Sequence, residues 1–128
     1  MGRHRPHEQL LLGLSTISGA TYLLGAPPPT SVAAAMPTLG VKLWAGGLLI
    51  SGVAGLVGSW RHGERGMLLE QGGLLIGAAA LVMYAVMAAA YAGWNASFAV
   101  GFGGAWAAAN LWRARQSWGD LRELRRAR

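Results

Sequence analysis

Residues 70–91, EQGGLLIGAAALVMYAVMAAAY, decide the fold. Apart from Glu70 at its start this stretch carries no formal charge, and at about 1.5 Å per residue a helix of this length crosses a hydrocarbon core of roughly 30 Å. Between Arg65 and Arg113 the one residue charged at neutral pH is Glu70, so this stretch and its successor are both read as lying in or against lipid.

Working outward, the same pattern repeats. The chain has 128 residues, 53% of them apolar and 12% charged, a balance that would leave a soluble domain of this size short of polar surface. The apolar residues fall into four blocks. The reading is an all-α membrane protein with four transmembrane helices, at about 8–25, 38–60, 67–91 and 97–112, forming two helical hairpins. Residues 1–112 make the transmembrane bundle and 113–128 a short basic amphipathic C-terminal tail. The first block, with its basic start and short apolar run, resembles a signal peptide; the bulky Leu24 and the following Pro27 argue that it stays uncleaved. Pro27, Pro28 and Pro29 force the first turn, where 32–36 can form a brief interfacial helix capped by Thr30 or Ser31. RHGERG (61–66) and AGWNA (92–96) make the other two turns.

The net charge of +6 comes from arginine, with Lys42 the single lysine. The arginines flank apolar blocks, which points to anionic lipid headgroups as partner and not to nucleic acid. Arg3 and Arg5, Arg61 and Arg65, and the run after Arg113 alternate with two uncharged turns. By the positive-inside rule both termini face the cytoplasm of a multi-pass protein in a bacterial cytoplasmic membrane. In the tail, Trp118, Leu121 and Leu124 recur at helical spacing, so it either lies along the membrane surface or is a solvated anchor.

Candidate functional residues are few. Without cysteine there are no disulfides or thiolate metal sites. His4, His7 and His62 have no metal-ligand spacing, and no catalytic or nucleotide-binding motif occurs, so no enzymatic activity, metal or cofactor is expected. The intramembrane polar candidates are Lys42, Glu70, Gln71 and Asn110. Charge in hydrocarbon is costly and marks function by default, yet Lys42 falls near the outer interface as an anchor. Glu70 falls near the inner one, where its carboxylate suits the positive end of a helix start. Asn110 can hydrogen-bond across helices. Glu8-Gln9 and Glu70-Gln71 each open an inward-starting span, an echo that a restricted alphabet also produces by chance. The helix-packing candidates are four small-xxx-small pairs: Ser15 and Gly19, Ser51 and Gly55, Gly73 and Gly77, Gly104 and Ala108. Such faces let helix backbones approach closely, either to close one chain or to join several into a homo-oligomer.

The basic start MGRHRPHEQ, the uncharged third and fourth spans and the charged end RARQSWGDLRELRRAR together resemble the holins and holin-like membrane proteins of phages infecting GC-rich, actinobacterial hosts. The heavy use of Ala, Gly and Arg fits such a source. The resemblance implies copies that assemble in the cytoplasmic membrane and permeabilise it, releasing or activating a cell-wall hydrolase. Four spans exceed the number in many holins, and a second Met close to Met1 is missing. A non-pore accessory protein that holds a membrane partner is the alternative. A small transporter is the third reading, weakened because the first span carries no carboxylate within Leu10–Leu24.

Overall fold

The computed structural model describes residues 6–127 and is helical, with no strand among them. Five α-helices follow one another: α1 (Pro6–Leu23), α2 (Thr30–Ala35), α3 (Thr38–Trp60), α4 (Glu64–Ala92) and α5 (Ser97–Arg126), with a 3-10 turn at Gly93–Ala96 before α5. The expected basic residues Arg3, His4 and Arg5 lie outside the described part.

Local chemistry sets the boundaries. Pro6 stands at the first position of α1, where a missing N–H costs nothing. Gly25, Gly63 and Gly93 have positive φ (104°, 88° and 53°), backbone states open to glycine, and each lies in a turn between helices. The short interfacial helix forms as α2, but no side chain caps it; Pro29 holds the N-cap position.

Packing runs in chain order, α1 on α3, α3 on α4 and α4 on α5, with α2 resting on α4. Antiparallel neighbours gather all five carboxylates and every described arginine at one end of the bundle and leave Lys42 at the other. Two stretches, Thr38–Trp60 and Glu64–Arg126, are long and apolar enough to cross a membrane.

Two expectations change. The helix expected at 97–112, α5, does not stop at 112 but continues to Arg126, so the tail is not a separate segment. Ala114, Ser117 and Leu121 recur on one side of α5 and are all buried, which makes this length part of the packed hairpin. The third helix begins at Glu64, so Glu70 lies in its second turn and not at its start.

Small and polar residues share the interior with Leu12, Leu48, Leu74, Leu81 and Met87, while many other bulky apolar side chains face outward. Ser15, Ser51, Gly52, Gly55, Gly73 and Gly77 are buried, while Leu10, Leu39, Leu43 and Phe98 are 65%, 68%, 70% and 83% exposed. Water-soluble bundles bury such leucines in their core. Trp44 is buried too: its ring sits between Tyr22 and Tyr84, with centroids 5.6 and 6.3 Å away. Its Nε1–H donates to the Ala80 carbonyl at 3.0 Å, which ties α3 to α4.

Candidate functional site

The site begins with the glycines that let α3 and α4 touch. A Cβ on Gly73 would stand 2.6 Å from the Gly55 nitrogen and 2.8 Å from the Ser51 carbonyl oxygen, distances that real Cβ atoms do not adopt. One Cβ on Gly77 would collide with the Ser51 hydroxyl and stand 3.0 Å from the Asn110 amide nitrogen. Gly58 lies directly against the Glu70 backbone. This backbone contact carries Glu70 into the bundle.

Once there, Glu70 is 5% exposed and meets an arginine of equal burial from the far end of the sequence. Arg113 Nη2 lies 2.9 Å from Glu70 Oε1, and Nε–H donates to the same oxygen at 3.1 Å. On its other side Arg113 Nε lies 3.4 Å from Oε2 of Glu8, whose side chain is partly exposed. One guanidinium therefore joins α1, α4 and α5 at the charged end. Beside it, Glu8, Gln9, Ser59, Glu70 and Arg113 line a cavity of about 20 Å³, room for about one water among polar partners. Taking two charges out of water is unfavourable unless geometry and further hydrogen bonds offset it, and the fork of Arg113 meets that condition with two carboxylates. The cluster holds three helices in register. Further out, Arg125 Nε–H donates to Glu64 Oε1 at 2.8 Å on an exposed surface.

Glu70 is thus a buried ion-pair member, in place of the helix-start carboxylate expected near the dipole. Gln71 is half-buried beside it, and Asn110 is buried at the meeting of α4 and α5 near Ser51. Lys42 is exposed at the opposite end. Ser15 is buried, and Gly19 packs against α3, where a Cβ would stand 2.7 Å from the Ala45 carbonyl oxygen. Gly104 and Ala108 are exposed, and nothing lies within 4 Å of a Cβ at Gly104. The small residues of α5 that face α4 are Gly103 and Ala107, one position earlier.

Arg113, Glu8 and Gly58 are the residues that sequence reasoning did not select. Two signals pointed to the cluster: the echo of Glu8-Gln9 in Glu70-Gln71, whose two carboxylates converge on Arg113, and the isolation of Glu70 in a charge-free stretch that ends at Arg113. Among the described residues, no three His, Cys, Asp or Glu side chains are grouped to hold a metal. No protein-family model, curated protein or solved structure matches this chain.

Proposed function

We propose that this chain is a small four-span integral membrane protein that works as one self-contained bundle, an accessory protein for a membrane partner and not a lesion-former. One observation carries the reading: the glycine faces that could join copies, Gly73 and Gly77 with Ser51 and Gly55, meet inside a single chain. The bulky apolar exterior supports lipid surroundings, since leucine, isoleucine or phenylalanine side chains point outward on every long helix. Exposed aromatics stand at both levels where such a bundle would leave the hydrocarbon: Trp60 and Trp112 toward the charged end, Tyr91 and Trp94 toward the other.

In this reading α1, α3, α4 and the first half of α5 span the bacterial cytoplasmic membrane. By the positive-inside rule, the arginines favour a cytoplasmic position for both termini and the α3–α4 turn. Beyond Trp112, α5 continues for about 20 Å, and its exposed Arg115, Arg122 and Trp118 offer a partner or anionic headgroups a rigid rod. Leakage by association through Gly73 and Gly77, as in holins, would require opening the chain's own core.

The test is induced expression with a membrane-potential dye, in a chain whose lack of cysteine permits clean labelling. The potential should hold while the protein accumulates, Asn95→Cys should react with an impermeant maleimide from outside, and Gly119→Cys only after lysis. Abrupt loss of potential at a set protein level would restore the holin-like reading.

A further inference from the structure

Tight packing holds along three of the bundle's four sides, and the fourth, between α1 and α5, is different. There a cleft of about 270 Å³ opens, with walls from all four long helices. It lies in the half of the bundle away from the charged cluster, and no charged side chain lines it. Its rings are those of Trp44, Phe102 and Trp106, with Phe102 and Trp106 set edge to face at 5.6 Å. Four hydroxyl groups, from Ser15, Ser18, Tyr22 and Tyr84, border the same space. Among the described residues none of these hydroxyls hydrogen-bonds within the protein.

Each feature narrows the occupant. Each of these hydroxyls can donate one hydrogen bond to a ligand. The absence of charge in the walls disfavours an ionised ligand, whose burial there would be uncompensated. Flat aromatic walls favour a flat ring through offset or edge contacts. A lipid acyl chain would satisfy the apolar walls but would make no use of the hydroxyls of Ser18, Tyr22 and Tyr84. Apolar walls with a few convergent polar groups are the usual make-up of a small-molecule pocket, and the volume is near the lower end of that class, about 300 Å³.

We propose that the cleft between α1 and α5 binds an uncharged flat-ring amphiphile carrying carbonyl groups, of the quinone class, through the hydroxyls of Ser18, Tyr22 and Tyr84 and the rings of Trp44, Phe102 and Trp106. Entry from the bilayer side rests on the four-span reading.

The experiment uses the full chain in phosphatidylcholine nanodiscs, with menadione as probe and protein-free discs as the partition control. Bound menadione in excess of the control should saturate at one per chain, and Tyr22→Phe with Tyr84→Phe should weaken it by about tenfold, as loss of two hydrogen bonds implies. Circular dichroism checks that the double variant folds. Ser18→Leu, which adds bulk at a half-buried wall position, should abolish saturation by an independent route. No saturable excess, binding unchanged in both variants, or a co-purifying phospholipid at one per chain that menadione does not displace would overturn the proposal. Chain number per disc is measured on the same samples. An oligomer that binds menadione contradicts only the self-contained bundle, and a single chain that does not bind contradicts only the cleft.

Discussion

The α3–α4 seam and the α1–α5 seam are built in opposite ways. Across the first, glycine stands against backbone at Gly58 and Gly73 and against the Ser51 side chain at Gly77, and Trp44 adds a hydrogen bond to Ala80. Across the second, the helices are held apart by a ring-lined cleft in one half, and Arg113 reaches Glu8 at the charged end. Where leucine gains nothing by leaving lipid, helices associate by close packing, and only the seam with paired small residues achieves it. The α1–α5 seam has no such pair facing across it, so ionic contact takes over at the one end where charge is available.

Breaking the tight seam should have the largest effect. Gly73→Leu or Gly58→Leu forces a side chain into a backbone, costing about 3 kcal/mol or more, and should remove the folded bundle from detergent extracts. Gly46→Leu, at a position with nothing within 4 Å of a Cβ, should leave thermal unfolding nearly unchanged. Gly73→Leu therefore cannot separate a pore from a bundle, since it disrupts either.

Arg113→Met tests the looser seam. It leaves Glu70 buried without its partner, a loss of about 3–5 kcal/mol. The double variant Glu70→Leu with Arg113→Leu should recover most of it in the same thermal unfolding assay. A double variant as unstable as the single would show that the guanidinium acts by packing and not by charge.

Trp44→Phe keeps most of the ring and removes one buried donor from the Ala80 carbonyl, so unfolding should shift by about 1–3 kcal/mol. The smallest change belongs to Arg125→Ala. Its ion pair with Glu64 is exposed, and surface pairs contribute about 0–1 kcal/mol and weaken with salt. Measured at high ionic strength, this variant should match the parent.

Much of the helical architecture was legible because long apolar blocks alternate with short breaks rich in proline, glycine or arginine. The helix at 38–60 follows directly from Pro37 before it and Arg61 after it. The overrun of α5 to Arg126 was not legible, because charged residues after Trp112 read as solvent while their helical spacing also builds a buried side at Ala114, Ser117 and Leu121. The close-packing role of Gly73 was readable from its four-residue spacing to Gly77, but spacing does not say whether the opposing face belongs to the same chain. On α5 the register itself was ambiguous, since Gly103 and Gly104 differ only in which side α4 occupies. Arg113 escaped because its partner lies 43 residues away, and only the folded hairpin brings them together.

The self-contained bundle is tested most directly by native mass spectrometry of the protein released from lipid nanodiscs. A single chain, unchanged in mass across a wide range of expression levels, is the predicted result. A discrete ring of several chains that assembles as protein accumulates would contradict it.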